Sequence, residues 1–179
     1  LHFVQCSVFP QGYAAMVPMM DWDKKENNFQ KFMGTVMMAD IGNGTMNILR
    51  TLDSNVDLRQ MFTEKYGVQQ CVLAIQEALM REHHAELDEQ MIHNFLRYGT
   101  VGIDEELEKT MQLTASDYAK KVFRKLREHG YDPRIMKLYV VGGGDCLLKN
   151  FFPIDPGRII INSDICATAK GYEYMADVQ

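Results

Sequence analysis

The segment that most constrains the fold of this chain is residues 36–49, where an apolar run ends in one acid, Asp40. Gly42, Asn43, Gly44 and Thr45 follow, and a second apolar run begins after them. This order is typical of two antiparallel strands joined by a tight turn. Asn43-Gly44 alone would explain such a hairpin, because both central residues of its favoured two-residue turn need a positive φ.

A hairpin requires neither Gly42 nor an acid at the strand end. A site for phosphate oxygens and a hydrated metal ion does require such residues. Glycine lets backbone N–H groups come close to an anion, and a nearby carboxylate can hold the cation that accompanies it. We therefore interpret the segment as a hairpin whose turn contacts phosphate, with the Asn-Gly turn as its scaffold.

Charge and cysteine usage exclude several classes of protein. The 179 residues suffice for one domain with a hydrophobic core, and the net charge of −5 argues against a broad nucleic-acid surface. The apolar runs are far shorter than a membrane span. The cysteines are widely spaced without a Cys-x-x-Cys pair, which favours buried, reduced thiols and a cytoplasmic location over disulfides or zinc. They are Cys6, Cys71, Cys146 and Cys166.

Apolar periodicity predicts an alternation of strands and helices. Strands are predicted over 35–41, 45–52, 58–62, 136–141 and 158–161, and helices over 68–83, 87–98, 114–129, 146–150 and 165–175. A hairpin at the start and strand–helix–strand units later indicate an α/β fold with a mixed sheet.

A second glycine cluster, Gly142-Gly143-Gly144, lies between a buried strand and a helix start, and Asp145 follows it. Ligands of open α/β sheets bind beyond the carboxyl ends of the strands, and a helix start offers free N–H groups. The alternative is a flexible connection in which Asp145 caps the helix. Both interpretations stay open for this motif alone.

His83, His84 and His93 lie among acidic residues, with His93 four positions after Glu89. Such spacing is compatible with a metal site. A solvated connection between two helices is the favoured interpretation.

With these motifs placed, the sequence resembles the actin-like ATPase superfamily, most closely the ParM/StbA type of bacterial plasmid-segregation protein. Residues 40–45 resemble its second phosphate loop, 138–144 its adenosine motif, 167–173 its closing helix motif and 9–15 the end of its first half. The resemblance covers nearly the whole chain, as the second half of such a protein. It implies a ribonuclease H-like mixed sheet with flanking helices, one of the two domains of an actin-like ATPase.

The resemblance also implies a role for each motif residue. Asp40 would hold a hydrated Mg²⁺ and help to orient water, and Gln11 would position the attacking water. Residues 1–34 would end the first domain, 35–163 would form the nucleotide-binding domain, and 164–179 would form the closing helix. The implied ATP contacts are Gly42, Asn43, Gly44 and Thr45 for the phosphates, and Gly142, Gly143, Gly144 and Asp145 for the adenosine.

The implied function is that of an ATP-binding domain in a filament-forming ATPase of plasmid segregation. Its implied partners are copies of itself and an adaptor protein bound to plasmid DNA, with no direct contact to nucleic acid or membrane. The first phosphate loop of the family is absent from the chain, so it carries one wall of the cleft, and we expect weak or no ATPase activity from it alone. Asp145 and Thr168 also depart from the family pattern. The alternatives are a sugar- or acetate-kinase-like phosphotransferase of the same superfamily and a non-catalytic assembly module.

Overall fold

One five-stranded sheet organises the chain. The computed structural model describes residue 6, residues 8–17 and residues 32–177. The sheet has the strand order β3-β2-β1-β4-β5. Its strands are β1 (Thr35–Ile41), β2 (Met46–Leu52), β3 (Asn55–Glu64), β4 (Lys137–Val141) and β5 (Ile159–Ile161). Because β1 pairs antiparallel with β2 but parallel with β4, and β4 pairs parallel with β5, the predicted mixed sheet is confirmed.

Helices cover both faces of this sheet. They are α1 (Tyr13–Met16), α2 (Val68–His83), α3 (Glu89–Tyr98), α4 (Glu105–Glu128), α5 (Asp145–Phe151) and α6 (Ala167–Asp177). None of them has the length and apolarity that a membrane span requires, as far as the described residues go. The predicted α/β fold with flanking helices is therefore confirmed, with the antiparallel hairpin at one side of the sheet and the parallel strands at the other.

Strand β1 lies at the centre of the sheet and is buried on both faces. Side chains alternate between the faces of a strand. Met37, Ala39 and Ile41 accordingly pack into the larger core beneath α2–α5. Val36 and Met38 pack into the smaller core with residues of α1 and α6. Because the other side chains of this central strand are apolar on both faces, its one acid, Asp40, is unusual.

The predicted start of the longest helix at residue 114 is wrong. Helix α4 begins at Glu105, where the Asp104 carboxylate accepts hydrogen bonds from the N–H groups of Glu106 and Leu107. Thr114 lies inside the helix, and its hydroxyl donates to the carbonyl of Thr110 at 2.8 Å. A threonine that is satisfied in this way does not need to cap a helix.

Other boundaries differ less. The third strand extends over Asn55–Glu64 instead of 58–62. The predicted divisions at residues 34 and 163 stay predictions, and residues 18–31 of the first segment lie outside the described residues.

Candidate functional site

The ends of two neighbouring strands and the turn before α1 meet at Asp40. This residue lies between Asn47 of β2 and Val141 of β4, and its exposed fraction is 7%. The Gln11 side chain hydrogen-bonds the Asp40 carboxylate. A Cβ atom placed on Gly142 would lie only 2.6 Å from Asp40 Oδ1. The structure thus brings together Gln11, Asp40 and Gly142, which lie far apart in the sequence.

The surroundings of the Asp40 carboxylate are unusual for a buried acid. Burial raises its pKa, and the hydrogen bond from Gln11 opposes that shift. No lysine or arginine among the described residues forms an ion pair with it. A buried acid whose partner is a neutral amide is an oxygen ligand of the kind that Mg²⁺ binds directly or through water.

The loop that follows, residues 42–45, does not form the two-residue turn that Asn43-Gly44 predicts. Neither of these residues has a positive φ. The carbonyl of Gly42 instead accepts the N–H of Val68 at 3.1 Å, and the carbonyl of Asn43 accepts the N–H of Gln69 at 2.8 Å. The hairpin is confirmed, but its loop serves as the N-terminal cap of α2.

This arrangement fixes the direction of the loop's N–H groups. All peptide bonds described are trans, so each N–H points away from the carbonyl of the preceding residue. The N–H groups of Asn43 and Gly44 therefore point away from α2, and no described residue accepts a hydrogen bond from them. The N–H of Gly42 donates to the Thr45 carbonyl at 2.9 Å. Two adjacent N–H groups without an acceptor among the described residues are donors of the kind that bind anions, and phosphate binding by this loop stays a prediction.

The three glycines after β4 have different environments. Gly142 has a φ of 88° and packs against Asp40 and Ile41. Gly144 donates its N–H to the Ile41 carbonyl at 2.9 Å, and a Cβ there would lie 2.3 Å from Ile41 Cγ2. A Cβ on Gly143 would have nothing within 4 Å. Two glycines therefore allow the turn to pack on the end of β1, and the third has open space before it.

An open cavity of about 580 Å³ lies between this turn and α3. From the turn and α5 it is lined by Gly143, Asp145, Cys146 and Lys149, and from α3 by Gln90, His93, Asn94 and Arg97, among others. Asp145 is buried and accepts a hydrogen bond from the Ser163 hydroxyl. It is the first residue of α5, and the predicted alternative that it caps the helix is wrong because Gly144 occupies the cap position.

The α3 side chains of this cavity were not predicted as site residues. Only His93 was considered, as a metal ligand. The structure pairs His93 with Glu89 at 3.4 Å and His83 with the Thr110 hydroxyl at 2.8 Å. Within the part of the chain that the structure describes, no group of three His, Cys, Asp or Glu residues could hold a metal ion. The local sequence does not indicate which face of α3 meets Gly143.

The solved structures most similar to this chain are actin-like. A non-polymerisable quadruple mutant of pCBH ParM has a TM-score of 0.69 at 17% identity, over 97% of this chain and 55% of that one. An archaeal actin homolog in complex with ADP has a TM-score of 0.68 at 21% identity, over 96% of this chain and 57% of that one. Bacillus thuringiensis ParM with ATP has a TM-score of 0.62 at 11% identity, over 94% of this chain and 55% of that one.

Two sequence comparisons found no relative of this chain. No family model matches it, and no curated protein matches it either. The chain spans about 55% of the length of the ParM structures. At these identities the similarity establishes architecture, and the roles of individual residues stay predictions. The chain has the fold of one domain of the actin-like ATPases, the architecture that ParM and an archaeal actin homolog share.

Proposed function

We propose that this chain is the nucleotide-binding half of a filament-forming, actin-like ATPase, which uses ATP and Mg²⁺. The observation that carries the proposal is the convergence at Asp40 of Gln11, the loop 42–45 and the Gly142 turn. An acid, an amide and two free N–H groups are the donors and acceptors that phosphoryl transfer needs, since its catalysis is mostly positioning and charge stabilisation.

The residues present fit a bound Mg²⁺–ATP. Asp40 would hold the hydrated metal ion, because it is a buried carboxylate without a cationic partner among the described residues. The metal ion would supply neutralisation of charge on the phosphate oxygens. The N–H groups of Asn43 and Gly44 would hold those oxygens, with the Thr45 hydroxyl at the end of the loop and Gly42 at its start.

Gln11 would orient a water molecule. Its amide cannot act as a base at neutral pH, but it can donate and accept hydrogen bonds at the same time. The bond to Asp40 fixes one side of the amide. Gly12, which follows Gln11, allows the turn to pack tightly against β1, because any Cβ at this position would lie 2.5 Å from Met38 Cε.

The cavity between α3 and the glycine turn would take the adenosine. Gly143 leaves room for a flat ring, and Gly142 and Gly144 shape the turn behind it. Gln90 and Asn94 offer amides for the base edge or the ribose hydroxyls. Asp145 would accept hydrogen bonds from the ribose hydroxyls, because Ser163 donates to only one of the two oxygens of its carboxylate.

The wider role follows from the same proposal. We propose that the protein assembles into filaments in the bacterial cytoplasm and takes part in plasmid segregation. An adaptor protein would link the filament to plasmid DNA. Support comes from the ParM proteins among the similar structures, one of which is a non-polymerisable mutant and another a complex with ATP. Because the chain spans about 55% of their length, hydrolysis is proposed for a protein with both walls of the cleft.

The test uses the complete gene product. We expect ATP to increase light scattering and phosphate release to accompany it. Asp40→Ala should lower phosphate release by about 10²–10⁴-fold, the range for loss of a positioned catalytic group. Gln11→Ala should lower it while nucleotide binding persists. The matched control is Arg59→Gln on exposed β3, which should leave both signals unchanged.

Three outcomes would contradict the proposal. Phosphate transfer that depends on an added sugar or on acetate would indicate a phosphotransferase. Assembly that is indifferent to ATP would indicate a non-catalytic module. Undiminished phosphate release from Asp40→Ala would remove Asp40 from the site.

A further inference from the structure

A second cavity lies at the opposite end of β4 from the glycine turn, around Tyr131. It has a volume of about 230 Å³. Phe123 and Phe152 form one wall, with stacked rings whose centroids are 3.8 Å apart. Pro133, Pro153 and Ile159 add further apolar surface. Strand β4 has five residues, which puts this cavity roughly 16 Å from the Asp40 edge.

Tyr131 lines this cavity, and its hydroxyl is an unexplained polar group. Only 4% of the residue is exposed, and its buried oxygen has no hydrogen-bond partner among the described residues. Burial raises the pKa of the hydroxyl, so it stays protonated and keeps a hydrogen to donate. Buried hydroxyls are normally hydrogen-bonded, so an orphan beside a cavity indicates a partner that comes from outside.

The positive charge of this cavity comes from two arginines. Arg127 and Arg158 line it, and neither forms an ion pair with any described residue. The nearby acids are already engaged. Asp132 binds the Arg134 guanidinium, with its closest contact at 2.6 Å, and Asp155 accepts the N–H of Gly157 at 2.9 Å.

These groups define the charge of the ligand. The Asp132–Arg134 pair is neutral, so Arg127, Arg158 and Asp155 leave one net positive charge at the cavity. One carboxylate would neutralise it, whereas a doubly charged phosphate would exceed it. A cavity of about 150 Å³ holds a benzene ring, so this one has room for a ring and a carboxylate.

We propose that this cavity binds a small monocarboxylate with an apolar, ring-sized body. Arg127 and Arg158 bind the carboxylate oxygens, and the Tyr131 hydroxyl donates to one of them. Phe123 and Phe152 pack against the body of the ligand. Guanidinium groups are suited to this task, because they present parallel N–H donors to a carboxylate.

The test is a titration of the isotope-labelled 179-residue chain, followed through its backbone amide resonances. The probes are benzoate, its neutral analogue benzamide, and inorganic phosphate. We expect benzoate to shift the amides of residues 130–132, 134 and 157–159 in a saturable way, with benzamide and phosphate binding at least tenfold more weakly. Asp40→Ala should bind benzoate as the wild type does, which separates this site from the nucleotide proposal.

Variants identify the groups. Arg158→Gln and Tyr131→Phe should each weaken benzoate binding by about tenfold, the effect of one charge-assisted hydrogen bond. Tyr131→Phe should also melt a few degrees higher without ligand, because it removes an unpartnered buried hydroxyl. Its weaker binding could not then be attributed to misfolding. Arg59→Gln is the matched control, since Arg59 is exposed on β3, at the edge of the sheet opposite β5, and it should bind as the wild type does.

Several results would overturn the proposal. One is a benzamide affinity equal to that of benzoate, and another is benzoate binding by Tyr131→Phe and Arg158→Gln that is as tight as in the wild type. A third such result would come from sedimentation of the free chain. It would be an oligomer that dissociates when benzoate is added or when Arg158→Gln is introduced. That result would assign the cavity to an acidic side chain of a second copy.

Discussion

The two hairpin turns of the sheet are built in different ways. The turn between β2 and β3 has left-handed residues at its tip, Asp53 with a φ of 46° and Ser54 with a φ of 67°. The Asp53 carboxylate also accepts the N–H of Gly34 at 2.9 Å. The loop between β1 and β2 contains Asn43-Gly44, the better sequence for such a turn, yet neither residue has a positive φ.

The difference shows which contacts decide the shape of a loop. Two hydrogen bonds to the start of α2 hold the β1–β2 loop, and Gly67 packs directly against it. A Cβ on Gly67 would lie 2.3 Å from the Asn43 carbonyl oxygen. Tertiary contacts thus outweigh the local preference of Asn-Gly and expose the two N–H groups. The β2–β3 turn keeps the geometry that its strand twist favours.

The largest expected effect comes from the glycine turn that supports the β1–β2 loop. Gly142→Ala should destabilise the fold by about 2–4 kcal/mol, because its φ is 88° and its Cβ would meet Asp40 and the Ile41 carbonyl at 2.6 Å. Gly143→Ala is the matched control, with open space and no positive φ, and should change stability by less than about 0.5 kcal/mol. Urea denaturation measures both. Equal losses would contradict the division of roles among the glycines.

Gly67 tests the contact from the helix side. Gly67→Ala should cost about 2–3 kcal/mol, because the added carbon would lie within 2.6 Å of the backbone of residues 43 and 44. Gly44→Ala has no neighbour within 4 Å and no positive φ, so it should stabilise the protein by about 0.5 kcal/mol through the lower entropy of the unfolded chain. The β2–β3 turn should keep its amide chemical shifts in both variants. A shift of the Asp53 amide in Gly67→Ala would show that the two hairpins are not independent.

Much of this fold could be predicted from the sequence, because apolar runs mark the strands of the sheet and α2 has clear periodicity. The start of α4 was missed because Thr114 and Ser116 resemble capping residues. The side chains of Leu107 and Met111 continue the apolar stripe upstream of them, and the three acids after Asp104 are typical of a helix start.

The candidate site could be predicted only in part. Glycines and a strand-end acid are local signals, so Asp40 and the two glycine clusters could be named as candidates from the sequence. The contribution of α3 was not, because Gln90, Asn94 and Arg97 look like any solvated helix face until packing brings them to Gly143. The Asn-Gly geometry was predicted wrongly because the bonds from Val68 and Gln69 are not local to the turn.

A smaller effect should distinguish the two turns themselves. Ser54→Gly should stabilise the protein by about 1 kcal/mol, because it relieves a left-handed residue and removes a buried hydroxyl oxygen without a partner. Asn43→Gly should destabilise by about 0.5 kcal/mol, since its φ is not positive and glycine only adds entropy to the unfolded chain. Thermal unfolding measures both changes. Stabilisation by Asn43→Gly would mean that this loop also prefers the left-handed turn.

The smallest effect is a pH dependence confined to the first hairpin. Burial raises the pKa of Asp40 in the folded chain above that in the unfolded chain, and the Gln11 hydrogen bond opposes this. Between the two pKa values the folded state binds more protons, so stability falls as pH rises through that window. At neutral pH the ionised Asp40 therefore costs folding free energy, and Asp40→Asn should be the more stable protein.

This advantage of Asp40→Asn should shrink as the pH falls toward about 3.9, the ordinary value for an aspartic acid, because the wild-type side chain then becomes neutral too. Urea denaturation of both proteins at pH 7 and near pH 4 measures the difference between their unfolding free energies. The titration of every other group contributes equally to both proteins and cancels in that difference. Adding Mg²⁺ at pH 7 should also reduce this difference in unfolding free energy. It should do so by stabilising the wild type, since only the Asp40 carboxylate gains a cation. A difference that depends on neither pH nor Mg²⁺ would mean that the end of β1 does not hold a destabilised charge.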